Sequence, residues 1–109
     1  MEKKTFEIAS IFEWNHCVDY STDGIVSKRV IDRPTGNVSL FAFDEGQRLS
    51  EHSAPFDALV QVTEGEAQII IGGLPYILQQ GQCIIMPANI PHAVNALSRF
   101  KMVLTMIKG

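Results

Sequence analysis

From residue 38 to the end, the chain repeats one kind of unit. A run of four to eight residues rich in Val, Ile, Leu and Phe is followed by Gly, Pro, Asn or Asp. Within the runs, apolar and polar residues tend to alternate with the two-residue period of a half-buried strand. The pattern predicts strands over 38–43, 48–53, 58–63, 67–71, 76–79, 83–86, 93–96 and 100–107. Short strands at such even spacing, divided by turn residues, argue for an all-β sandwich or barrel of closely paired antiparallel strands. No stretch after residue 20 holds a helical period. By strand alternation, Ala54, Ala58, Val60 and Val62 share one face and Gln61 takes the other.

The first 37 residues are less regular. Residues 5–10, TFEIAS, read as a strand or a lead-in to one. Ser10 is a candidate cap for a short helix over SIFEWNHC, with Glu13 as its capping-box partner. Residues 19–24 form a turn, in which Asp23-Gly24 is a strong hairpin signal. A strand follows over 25–31 and a second turn over 32–37. Downstream, Gly65 and Gly72-Gly73 supply the positive φ of hairpin corners. Pro87 ends the strand before it, because proline has no amide to give a ladder.

Composition narrows the class. One hundred and nine residues support one domain with one core. The net charge is −3 with no basic stripe, so nucleic acid is not an expected partner. No apolar run spans a membrane; the longest, around Ile69–Ile71, is broken by Gly72-Gly73. The first ten residues have basic groups but no apolar run behind them, so they do not read as a signal peptide. Two cysteines, Cys17 and Cys83, are too few for a disulfide framework, although a single bridge between them stays open. The expectation is a reduced, cytoplasmic protein. No G-x-S-x-G, P-loop, dinucleotide fingerprint or C-x-x-C occurs.

Candidate chemistry is concentrated in two stretches, GQRLSEHSAPFDALVQVTEG from Gly46 to Gly65 and GQCIIMPANIPHAVNA from Gly81 to Ala96. Each opens on glycine and carries one histidine, His52 or His92. Taken alone, two isolated histidines are more often solvated or singly hydrogen-bonded than functional. Glu51 adjoins His52 and Asp57 adjoins Ala58, and alternation turns each acid to the face opposite its neighbour, as an exposed acid. Cys83, Met86, Met102 and Met106 could carry sulfur chemistry, but methionine is more often core filler. His16-Cys17 beside Trp14 reads as a surface loop.

These two stretches resemble the paired motifs of the cupin family. Gly46, His52 and Gly65 fall on the first motif, and Gly81, Pro87 and His92 on the second. Four positions depart: the second histidine of the first motif is Ala54, its glutamate is Ala58, and the glycine and asparagine of the second are Asn89 and Ala96. The resemblance implies a single domain over 1–109, a small double-stranded β-helix (jelly-roll) barrel. Its core spans 41–107, and the first 40 residues carry no family signature. It also implies that His52 and His92 meet in the barrel mouth, in an apolar pocket with Ala54, Ala58 and Val60. A homodimer is expected, with some of Ile8, Ile11, Phe12, Trp14, Val38, Leu40 and Phe41 buried between subunits. The leading expectation is a small-molecule-binding protein with a degenerate metal site. The alternative is a metal-dependent enzyme of dioxygenase or isomerase type, in which His52 and His92 hold a divalent transition metal (Zn, Mn, Fe or Ni). Ala54 and Ala58 favour the first reading; the two histidines favour the second.

Overall fold

A computed structural model describes residues 6–109. Nine strands follow a single 3-10 turn, Trp14–His16. They are β1 (Ile25–Arg33), β2 (Gly36–Phe43), β3 (Arg48–His52), β4 (Asp57–Glu64), β5 (Glu66–Ile71), β6 (Leu74–Gln79), β7 (Cys83–Met86), β8 (His92–Ala96) and β9 (Phe100–Ile107). All pairings are antiparallel, in a five-stranded sheet of order β1-β2-β9-β4-β7 and a four-stranded sheet of order β3-β8-β5-β6. The all-β jelly-roll expectation holds. β1 and most of β2 precede residue 41, so the N-terminal third of the chain supplies an edge strand and its neighbour to the larger sheet.

The alternating residues build the core between the sheets. Phe43, Val60, Val62, Ile69, Phe100 and Met102 are fully buried or nearly so. Phe43 and Phe100 lie opposite each other in the β2–β9 register and stack at 4.6 Å. Turn chemistry closes the strands as expected: Gly65, Gly72 and Gly73 all have positive φ. Pro75 sits inside β6, which is tolerated because β6 is an edge strand.

The N-terminal segment behaves differently from its sequence reading. Residue 5 lies outside the described residues, and residues 6–10 form no strand. The helix expected from Ser10 shrinks to the 3-10 turn, whose N-cap is Glu13 with no side-chain cap bond. The physical reason is tertiary. Residues 6–20 form a strap across the outer face of the larger sheet, where Val18, Leu40, Ala42 and Val103 make a second core with Phe6, Trp14, Tyr20 and Val38. Side chains satisfy the strap's backbone in place of helical bonds. Lys101 Nζ, on a 6% exposed residue, donates to the Asn15 carbonyl at 2.7 Å, and Lys28 Nζ to the Cys17 carbonyl at 2.7 Å. Asn15 exchanges hydrogen bonds with Thr63, donating to its carbonyl and accepting from its hydroxyl. Tyr20 donates to Glu64 at 2.6 Å. Asp23-Gly24 is a turn, but it leads from the strap into β1 rather than joining two strands.

This arrangement corrects the assignment of apolar surface. Leu40, Phe41, Trp14 and Val38 are buried or half-buried within their own chain, in one core or the other. Ile8 and Ile11 remain 92% and 100% exposed. Cys17 and Cys83 are both free thiols.

Candidate functional site

β8 begins at His92 and alternates cleanly: His92, Val94 and Ala96 are buried and face the inner core. β3 does not alternate cleanly. Leu49 pairs with Val94 and packs against the core, whereas His52 pairs with His92. Three steps on β3 therefore match two on β8. This one-residue bulge reverses the parity that would otherwise turn His52 outward from the Leu49 face. It places the two imidazoles directly across the strand pair, with ring centroids 4.4 Å apart and planes at 68°. The expected convergence of His52 and His92 is present in the structure.

Each ring is oriented by its own backbone. His52 Nδ1 lies 2.9 Å from the Ser50 carbonyl and His92 Nδ1 3.3 Å from the Ile90 carbonyl. A carbonyl only accepts, so each Nδ1 carries the proton and donates. In the neutral ring this leaves each Nε2 as a free lone pair. His52 is exposed and His92 is 6% exposed. Burial holds the His92 pKa below the ordinary 6.5; the neighbouring His52 lowers it further, and the Ile90 carbonyl opposes both.

That depression has a sign. The unfolded chain takes up a proton at His92 as pH falls through 6.5, while the folded chain resists until its lower value. Stability from this group is therefore complete above 6.5 and declines below it. The urea midpoint should fall between about pH 7 and pH 5, and fall less in His92→Gln. An equal decline in both proteins would show that His92 is not its source.

The register extends the site across the smaller sheet. His52 pairs with His92, His92 with Ile71, and Ile71 with Leu74. Partners in register share a face. The row is thus two imidazoles followed by half-buried Ile71 and Leu74, which is 61% exposed. Ile71 and Leu74 were not singled out in the sequence, because only the pairing puts them beside the histidines. On the facing sheet, Asn37, Met106, Ala58 and Met86 form the corresponding row. Short loops join β3 to β4 and β7 to β8, so both rows lie at one end of the barrel.

The remaining expected pocket residues are placed as follows. Ala58 is 3% exposed and Val60 has no accessible surface, so in this conformation both are core rather than open wall. Ala54 lies two residues beyond the end of β3, so strand alternation does not fix its direction. It is half-buried, and its carbonyl accepts the Asn89 amide at 2.7 Å. Asn89 has a φ of 67°, the left-handed conformation, which asparagine tolerates better than most residues where the motif has glycine. Asp57 is exposed, and its Oδ1 accepts the Ala88 amide at 2.8 Å. That acid therefore braces the loop before His92. Among the described residues, no group of three or more His, Cys, Asp and Glu side chains could hold a metal ion. Two imidazoles alone do not make the three- or four-ligand set of a resident zinc or iron centre.

Comparison with known proteins agrees with the fold. A conserved protein of unknown function from Streptococcus pyogenes is 34% identical, with 97% of this chain and 93% of that one covered and a TM-score of 0.91. A cupin 2 conserved barrel domain protein from Leptotrichia buccalis is 39% identical over 89% of this chain, with a TM-score of 0.87. The present chain spans about half of that protein, 47% of its length. A salicylate 1,2-dioxygenase from Pseudaminobacter salicylatoxidans shares the fold alone, at 18% identity over 77% of this chain and 26% of that one, with a TM-score of 0.72. No curated protein matches the chain. The Cupin domain family model matches residues 39–108, which contain both histidines, both glycine-led stretches and eight of the nine strands in whole or part. This chain belongs to the cupin domain family.

Proposed function

We propose that this protein is a small-molecule-binding cupin whose binding centre is the His52–His92 pair with the Ile71–Leu74 shelf beside it. The observation that carries this reading is the registered row. With each Nδ1 turned to a carbonyl, the two imidazoles in their neutral form offer Nε2 as acceptors, and two apolar side chains continue the same face. Such a surface suits a small amphipathic molecule. Its hydroxyl or other donor would meet the imidazoles, and its apolar body would cover Ile71 and Leu74. The ligand would sit at the rim rather than deep in the barrel, since Ala58 and Val60 are sealed in the core. No reaction step is assigned to the pair.

Phenol is a suitable probe, because it combines one donor with one apolar ring. Titration into the full chain should shift the Nε2 resonances of His52 and His92 and the methyl resonances of Ile71 and Leu74. The shifts should weaken at least about tenfold in apparent affinity in His52→Ala, since that exposed ring supplies one of two acceptors. Shifts confined to other residues would overturn the site. A stoichiometric transition metal in protein purified without a histidine tag would overturn the metal-free reading and favour the metal-dependent enzyme.

A further inference from the structure

The bulge that turns His52 inward also re-aims the outer side of β3. In a regular strand, residues three apart lie on opposite faces. Here Leu49 and His52 share the inner face, so Ser50 and Glu51 both stand opposite Ala93, the one β8 residue between Val94 and His92. Arg48 pairs with Asn95, which lies between buried Val94 and Ala96 and so faces outward. Arg48, Ser50 and Glu51, all exposed, are therefore gathered on the outer face of the smaller sheet.

These side chains rim a groove of about 230 Å³. Asn95 completes the rim, and Ala93 and Ile70, partners in the β5–β8 register, form an apolar floor. Asn95 Nδ2 donates to Gln68 Oε1 at 2.9 Å, which fixes the carboxamide and leaves Oδ1 as an acceptor. Arg48 and Glu51 bring opposite charges to the groove. Among the described residues neither enters an ion pair, with the other or with any neighbour. At a strand rise of about 3.3 Å per residue their Cα atoms are at most about 10 Å apart, a gap that two long side chains can close on one small molecule.

We propose that this outer groove binds a small zwitterion, a free α-amino acid with an apolar side chain. Charge complementarity selects the occupant. Arg48 meets the carboxylate with paired N–H donors, the geometry its planar guanidinium favours. Glu51 accepts from the ammonium, with Asn95 Oδ1 and the Ser50 hydroxyl as further acceptors. The apolar side chain covers Ala93 and Ile70. A singly charged molecule leaves one of the two charges unanswered, and a neutral molecule leaves both. The groove is smaller than the roughly 300–1,000 Å³ of drug-sized sites, which suits a ligand of this size. It lies on the face of the smaller sheet opposite the histidine pair, so the inference does not depend on the function proposed for that pair.

L-leucine is the probe. Titration into the full chain, up to tens of millimolar, should shift the methyl resonances of Ala93 and Ile70 and the side-chain amide resonances of Asn95. Half-saturation should fall in the millimolar range, since exposed charge pairs contribute little each. Leucinamide lacks the carboxylate and N-acetyl-L-leucine lacks the ammonium, and each should bind at least about tenfold more weakly, a comparison that needs no variant. Arg48→Gln and Glu51→Gln, at exposed positions, should keep the circular dichroism of the natural protein and each weaken leucine at least about tenfold. Absence of shifts at Ala93, Ile70 and Asn95 would overturn the proposal. So would equal binding of leucine and its two blocked derivatives, or undiminished binding in both folded variants. Shifts confined to His52, His92 and Ile71 would place leucine in the barrel mouth and overturn it equally.

Discussion

Replacing Gly65 with valine should lower the free energy of unfolding by about 3 kcal/mol or more, from two separate causes. Gly65 joins β4 to β5 with a φ of 80°. An L-residue with a side chain costs about 1–2 kcal/mol in this region, and a β-branched one is a clear outlier. The second cause is contact. A Cβ here would strike the Arg99 carbonyl oxygen and lie 2.8 Å from the Phe100 Cβ and 2.9 Å from its Cα. Two of these three atoms are backbone and cannot swing aside. Overpacking of this kind adds about 1–3 kcal/mol. Gly81 is the matched control: its φ is 90°, but nothing lies within 4 Å of a Cβ built there. Gly81→Val should therefore show only the backbone strain. Urea denaturation of both variants separates the causes, and equal losses would mean that close packing at Gly65 contributes nothing.

Phe100→Ala should cost about 3–5 kcal/mol, the range for removing a buried aromatic ring from a packed core. Phe100 is wholly buried, stacks on wholly buried Phe43 and begins β9, the strand at the centre of the larger sheet. Truncation removes apolar burial, leaves a cavity and strands the Phe43 ring without its partner. With total stabilities near 5–15 kcal/mol, one such loss is a large fraction of the whole. Leu59→Ala, at a residue 40% exposed on the outer face, gives the reference for an apolar truncation outside the core. A Phe100→Ala loss no greater than that of Leu59→Ala would contradict the placement of the core. Alanine at 100 keeps the Cα and Cβ that a Gly65 side chain would meet, so it should not rescue Gly65→Val.

Much of this fold is legible in the order of residues. β7 and β9 fall where the alternation puts them, and most other strands differ from it by one or two residues at an end. The reason is local: strand alternation and turn glycines are set by side-chain direction and allowed φ, both properties of short segments. The glycine spacing also carried the family, because Gly46, Gly65 and Gly81 all take the positive φ that their motif positions require.

Tertiary contact decided the remainder. The strap over the outer sheet has apolar residues and a cap-like Ser10, which suggest a helix. The Asn15 carbonyl is instead satisfied by Lys101, on the last strand, and the Cys17 carbonyl by Lys28 of β1. Strict alternation would have faced His52 away from the core side of Leu49. One extra residue in β3, visible only in its pairing with β8, turns that ring onto His92. A bulge leaves little sign in a single strand's sequence, because it is a mismatch of count between two strands. The shelf of Ile71 and Leu74 and the outer groove over Ala93 and Ile70 have the same origin: register and neighbour order determine which side chains share a face.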